Sequence, residues 1–306
     1  MDWRSLSPRW IENVDYPLVS IITPSYNQSQ FLEETIRSVL LQGYPNLEYL
    51  IIDGGSNDGS VELVNRYAPW LAYWHSKRDR GQADAINQGI DLSNGEILGW
   101  LNSDDCLAID SLSSSIPVFQ RKPKVDFLYG DVEIIDTFSE VKGLRPGAKS
   151  SFTEMLRTLR VPIPQPGSLW RQVVCDRIGK LDSRWQVVLD REFFLRVSLA
   201  CEIEYLPKTL ARFRHHSDAK STAFRKKWIE EIPLMYAEFF ARKDLPSSIY
   251  QLKRETMSSA HLYCARIAYA ENARIMFYLC YLRAFLSNPC IFANFIHKRS
   301  KLHGVI

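Results

Sequence analysis

The stretch LVSIITPSYNQSQFLEETIRSVLLQGYPNLEYLIID, Leu18 to Asp53, decides the fold. Its first six residues form a continuous apolar run rich in β-branched side chains, as a strand covered on both faces requires. The next residues, SYNQSQ, are polar and read as a loop. In FLEETIRSVLLQ the apolar side chains Leu32, Ile36, Val39 and Leu40 fall at helical spacing. Gly43 and Pro45 end that helix. LEYLIID, Leu47 to Asp53, is then a second buried strand, so the stretch reads strand, helix, strand.

The alternation continues outward. GGSNDGS is a turn-rich loop, VELVNRYAP a helix ended at Pro69, and LAYWHS a short strand. GQADAINQGIDLS reads as a helix closed by Asn94-Gly95, and EILGWLN as another buried strand. Four strands alternating with helices predict a doubly wound, mostly parallel α/β sheet with helices on both faces. Ligands bind such sheets beyond the carboxyl ends of the strands. TPSYN, DGGSNDGS and NSDD should therefore meet there.

Farther on, FLYGDVEIID reads as a strand, and FTEMLRTLRVPIPQPGSLWRQ as a helix and Pro-rich turn before a strand. VVLDREFFLRVSLA reads as a helix and CEIEYLPKTLARFRHH as a final pair of strands. After Ser221 the texture becomes helical. FRKKWIEEIPLMYAEFFARK carries a stripe of Trp228, Ile232, Tyr236 and Phe239, and two further helices follow. A boundary near Thr222 separates an α/β domain, 1–221, from a C-terminal helical region, 222–306. Within the first, 17–110 and 111–221 form two halves.

Bulk properties narrow the classes. With 306 residues, 46% hydrophobic and 24% charged, the chain can build a core without disulfide or metal staples. A net charge of +3 gives no basis for nucleic-acid binding. The six cysteines form no CxxC and no Cys/His cluster, as expected of buried free thiols in a reducing cytoplasm. MDWRSLSPRW lacks the apolar core of a signal peptide. IMFYLCYLRAFL, broken by Arg283 and stopped at Asn288-Pro289, is too short to span a bilayer. The expectation is a cytoplasmic protein, at most peripheral on the cytoplasmic membrane face.

Four constellations carry chemistry, each with a plainer alternative. Asp104 and Asp105 suit a divalent cation of the Mg²⁺ or Mn²⁺ type, or a helix cap. IIDGGSNDGS could offer amides to a phosphate, or form an Asx turn around Asp53. In DREFFLR, Asp190 beside Phe193 and Phe194 could be desolvated into a general base, or simply cap a helix. RFRHHSDAKS, with its basic cluster from Arg212 to Lys220, could neutralise a diphosphate, or be a solvated loop. The apolar helices near the C-terminus, with the basic HKRSKLH, could contact an anionic membrane surface, pack internally or form a homodimer.

In their order, VSIITPSYNQSQFLEETIRSVLLQ, EYLIIDGGSNDGS, GQADAINQGI and GEILGWLNSDD resemble the nucleotide-sugar half of family 2 inverting glycosyltransferases, which have the GT-A fold. LDREFFLR and RFRHHSDAKS resemble the acceptor half. The resemblance spans roughly Pro17 to Ser221. It implies that Thr23, Pro24, Ser25 and Tyr26 border the nucleotide base, with Tyr26 packing on the ring. It implies that Asp53 bonds the base edge and Asp84 lies near ribose and diphosphate. Asp104 would contact the ribose or sugar, and Asp105 would bind a Mn²⁺ or Mg²⁺ bridging the diphosphate. Asp190 matches the general base, and Arg214 and His216 match an RxH element near the leaving diphosphate. The chain departs from the family in reading NSDD, with Asn102 where many members have an acid, and Asp53-Gly54 where many have two acids.

The implied activity is metal-dependent, inverting transfer of a sugar from a nucleotide-diphospho sugar, UDP-linked, to a hydroxyl of a saccharide or lipid-linked acceptor in polysaccharide or lipid-linked oligosaccharide synthesis. A sugar nucleotidyltransferase would begin with a Gly-rich basic loop, which is absent. A haloacid-dehalogenase-like phosphohydrolase needs its DxD directly after the first strand, where this chain reads TPSYN. A non-catalytic nucleotide-sugar-binding protein is the remaining alternative.

Overall fold

The structure is a computed structural model describing residues 15–149, 151–216 and 224–290. The boundary expected near Thr222, Lys220 of the basic cluster, and HKRSKLH lie outside these residues. The described chain separates into two compact units. One comprises 15–149 with 162–216, the other 151–161 with 224–290.

The first unit is built as the opening stretch predicts. β1 (Val19–Ser25) leads through α1 (Ser29–Leu40) to β2 (Leu47–Asp53). α2 (Ser60–Tyr67), β3 (Tyr73–Ser76), α3 (Gln82–Leu92) and β4 (Ile97–Trp100) follow. β1 pairs in parallel with both β2 and β4, and β2 with β3. Parallel neighbours require a crossover, which the helices supply. Val19, Ile21 and Ile51 pack with Leu32, Ile36 and Val39 of α1 in one core. On the other helical layer, α3 approaches β1 so closely that a Cβ at Gly89 would overlap the Ile22 side chain.

Beyond β4 the sheet becomes mixed, with strand order β3-β2-β1-β4-β8-β6-β9-β5. β5 is Cys106–Leu107, β6 Phe127–Ile135, β8 Leu169–Arg171 and β9 Ile203–Arg214. β8 runs antiparallel to both β4 and β6, while β9 runs parallel to β6 and antiparallel to β5. CEIEYLPKTLARFRHH, expected as two strands, forms one long strand, β9. Its pairing with β6 holds across Pro207 through two register shifts, so a bulge replaces the expected break. β7 (Val141–Arg145) hangs on β6 as an edge hairpin.

Between these strands lie α4 (Ser111–Arg121), α6 (Val173–Ile178) and α7 (Leu189–Ala200). The aromatics of DREFFLR anchor α7. Phe193 and Phe194 are buried in a cluster with Trp100 of β4, Trp170 of β8 and Phe127 of β6. Edge-to-face and stacked contacts of this kind fix the helix against the sheet.

The second unit is helical. Helix α5 (Phe152–Thr158) starts at Ser151, whose hydroxyl accepts the Glu154 amide. Among the described residues, four helices follow: Arg225–Phe239, Ser247–Tyr250, Lys253–Ala270 and Arg274–Ser287. Of the predicted stripe, Ile232, Tyr236 and Phe239 are buried and Trp228 half-buried. Phe239 meets Phe152 edge-on at 5.8 Å. Among the described residues, no helix is long and apolar enough to cross a membrane.

Candidate active site

The three expected loops meet at the carboxyl end of the parallel strands. Ser25 lies opposite Asp53 in the β1–β2 register, and the Leu101 amide donates to the Ile22 carbonyl across β1–β4. The first two loops are stitched together. The Asn27 amide donates to Ser56 Oγ (2.8 Å) and the Asn57 amide to Asn27 Oδ1 (3.0 Å). Asp58 accepts the Ser29 amide at the start of α1 and the Ser60 amide at the start of α2. One carboxylate thus serves two helix N-termini.

Thr23, Pro24 and Ser25 are buried within β1, with Thr23 Oγ1 3.0 Å from the Tyr49 hydroxyl. Tyr26 alone of that group stands in solvent, available to a flat ring. Asp53 organises its own loop. Its Oδ2 accepts the Gly55 and Ser56 amides and the Ser76 hydroxyl, and its Oδ1 the Ser56 hydroxyl. Asp84, in the first turn of α3, accepts Arg80 Nη2 at 2.7 Å, the Arg80 amide at 3.1 Å and Gln88 Nε2 at 3.2 Å. The Arg80 guanidinium holds Asp84 below the usual carboxylate range. Asp84 therefore fixes an outward-facing arginine rather than presenting a free carboxylate.

The acidic pair divides sharply. Asp105 is 0% exposed. Its Oδ1 accepts the Arg214 amide (2.9 Å) and its Oδ2 the Asn102 side chain (3.3 Å). Burial, then the neighbouring Asp104 charge, pushes the Asp105 carboxyl well above the ordinary carboxylate range. Asp104 keeps 20% of its side chain exposed and sets Oδ2 3.1 Å from Nε2 of His216. Of the pair expected to meet metal and sugar, Asp105 is thus drawn inside the fold and ties the loop to β9, and Asp104 is the partly exposed one.

Arg214 is likewise drawn inside the fold. It was expected to face a diphosphate, yet it is 1% exposed with every guanidinium N–H engaged. Nε donates to the Asp104 carbonyl (2.9 Å), and Nη1 to the Asp136 carbonyl (2.8 Å) and Ser139 Oγ (3.0 Å). Nη2 reaches Glu34 Oε2 (2.5 Å) and Cys106 Sγ (3.8 Å). Arg214 thus rivets α1, the acidic loop and the β6–β7 turn together. Arg214→Met should lower stability by on the order of 3 kcal/mol, because carbonyls and a carboxylate lose their donors. Urea denaturation checks this, and an unchanged midpoint combined with lost donor binding would restore the diphosphate role.

His216 packs its ring on Phe31 of α1, 4.8 Å between centroids, while the Arg214 guanidinium lies 4.8 Å over the same ring. Thr35 Oγ1 closes the cluster from α1, reaching the Ser103 and Asp105 carbonyls at 2.9 and 2.7 Å. Asn102 joins Gln82 of α3 (2.7 Å) to Gln165 (3.1 Å), whose Nε2 donates to the Trp100 carbonyl (2.9 Å). Sequence reasoning did not single out Gln82, Gln165, Phe31, Glu34 or Thr35. Only the placement of Gln165 between two prolines hinted at a fixed position. Asp190 begins α7, with Oδ1 accepting the Arg191 amide, and lies in electrostatic reach of Arg145 at the end of β7.

The chain has relatives of the same fold among known proteins. The family model for glycosyl transferase family 2 matches residues 20–166. An uncharacterized glycosyltransferase of Mycobacterium tuberculosis (strain CDC 1551 / Oshkosh) is 33% identical over 189 residues, 61% of this chain and 71% of the relative. S. aureus TarS 1–349, solved in complex with UDP-GlcNAc, superposes with a TM-score of 0.64 at 17% identity, covering 88% of this chain and 81% of that one. The mannosyltransferase PcManGT from Pyrobaculum calidifontis, solved with GDP-Man and Mn²⁺, gives 0.62 at 18% identity, covering 94% and 81%. With its GT-A architecture, the chain belongs to glycosyl transferase family 2 and is a glycosyltransferase.

Proposed function

We propose that the chain transfers a sugar from a nucleotide-diphospho sugar to a hydroxyl of a saccharide or lipid-linked acceptor, with inversion at the anomeric carbon and with a divalent cation. The observation that carries this reading is the Asp104–His216 pair at the carboxyl end of β4. Its oxygen and nitrogen are 3.1 Å apart. Adjacent ligands of an octahedral ion with bonds of about 2.1 Å are about 3 Å apart. Among the described residues no group of three His, Cys, Asp or Glu gathers to hold a metal. Two protein ligands suit an ion completed by diphosphate oxygens and water. A bound Mn²⁺ or Mg²⁺ would neutralise charge developing on the leaving diphosphate.

The chain's own residues do the rest. Tyr26 offers a face to the base. Asp53, buried and accepting the Gly55 and Ser56 amides and the Ser56 and Ser76 hydroxyls, shapes the loop beside the base instead of offering it a free carboxylate, and the donor is taken as UDP-linked from the family resemblance. Asn102, oriented by Gln82 and Gln165, lines the approach to Asp104. Asp190 accepts the proton of the attacking acceptor hydroxyl.

The test is release of nucleoside diphosphate from a panel of nucleotide sugars with Mn²⁺ or Mg²⁺. Release from one UDP-sugar, abolished by EDTA, is expected. Calorimetry on the same panel covers a strict need for acceptor. If no donor binds with metal, the reading falls.

A further inference from the structure

The helix Arg274–Ser287 is turned the wrong way round for a helix that packs only within its own unit. Its buried residues are small, Cys280 and Ala284. On Lys253–Ala270, which packs against it, the buried residues include Ser258, Ala265 and Ala268. Ser258 Oγ closes the seam by donating to the Ala284 carbonyl at 3.0 Å. The large apolar side chains face outward instead. Ile275 is 79% exposed, Tyr278 69% and Leu286 67%, with Leu279, Leu282 and Phe285 also exposed. Positions 275, 278, 279, 282, 285 and 286 follow a helical period, so they form one continuous stripe. Monomeric soluble proteins rarely leave a contiguous apolar stripe of this kind uncovered.

Charge says what covers it. The helix carries Arg274 and Arg283, both exposed, and no acid. From Asn272 to Ile306 the sequence contains no Asp or Glu, while Lys298, Arg299 and Lys301 add further positive charge. At 14 residues the helix is about 21 Å long, too short for the roughly 30 Å hydrocarbon core. An apolar face with aromatics, basic flanks and no acids, too short to span, fits the plane of a membrane interface. A second copy of the chain would bring like charges together, whereas anionic headgroups complement them.

We infer that this face lies on the surface of an anionic phospholipid bilayer, with Ile275, Tyr278, Leu282 and Leu286 in the acyl boundary and the arginines at the headgroups. The inference does not depend on the donor or the metal.

Flotation of the full chain with phosphatidylcholine vesicles, with and without about one-third phosphatidylglycerol, tests it. The chain should float with the anionic vesicles and at least about tenfold less with neutral ones, and added salt should release it. L282E/L286E, both at exposed positions, should abolish flotation while keeping the wild-type circular dichroism and donor hydrolysis. Failure of the wild type to float would overturn the inference. So would equal flotation of the variant. Light scattering showing a wild-type dimer that the variant converts to monomer would make the face a contact between copies instead. Flotation only after truncation at Cys290 would mean that residues 291–306 cover the face, and would overturn it too.

Discussion

Asp104→Ala is expected to lower donor hydrolysis by about three orders of magnitude, the scale of several kcal/mol of charge stabilisation. Metal-dependent donor binding should be lost with it, because the variant removes the one carboxylate of the acidic pair that reaches solvent. Asp105→Ala should behave differently. Its carboxyl is wholly buried and takes the Arg214 amide and the Asn102 side chain. Removing it leaves buried donors unpaired and should cost about 1–3 kcal/mol of stability. Donor titrations in the presence of Mn²⁺ and thermal melts of both variants separate the two roles. If Asp105→Ala melts like the wild type but no longer binds metal and donor, the roles are reversed.

Asp190→Asn should cut turnover by roughly 10²- to 10⁴-fold, the usual worth of a general base. Donor affinity should stay within a few-fold of wild type, since the amide keeps the size of the side chain and the donor does not need its charge. The helix should also survive, because α7 is held by Phe193 and Phe194 in the aromatic cluster rather than by its first turn. Single-turnover rates beside calorimetric donor affinities check the split. A parallel collapse of both would place Asp190 in the donor site and leave the proton without its acceptor.

The alternation of strands and helices from Leu18 to Trp100 was legible in the sequence because it rests on local periodicity. Strands buried on both faces need continuous apolar runs, and α1 needs Leu32, Ile36 and Val39 on one side. The same local signals placed three polar loops at one end of the sheet, where the structure brings them together as a candidate site. Local signals weaken after Asp105. β5 is two residues long, β8 three, and β9 continues past a proline through a bulge. Such strands exist because their neighbours pair with them, and no window of sequence contains those neighbours.

The division of labour at the site was decided by tertiary structure alone. Asp104 and Asp105 are adjacent and chemically identical, so composition and spacing treat them alike. What separates them is the return of β9, 109 residues later, which brings the Arg214 amide onto Asp105 and His216 onto Asp104. Arg214 reads as a surface cation because arginine usually is one. It is buried because the Asp104 and Asp136 carbonyls, Ser139 and Glu34 converge on it from three separate segments. The sequence by itself therefore determined the layers of the fold and the neighbourhood of the chemistry, through hydrophobic periodicity. Which carboxylate meets the ligand and which cation holds the scaffold depends on hydrogen bonds between distant segments, formed only once the chain has closed.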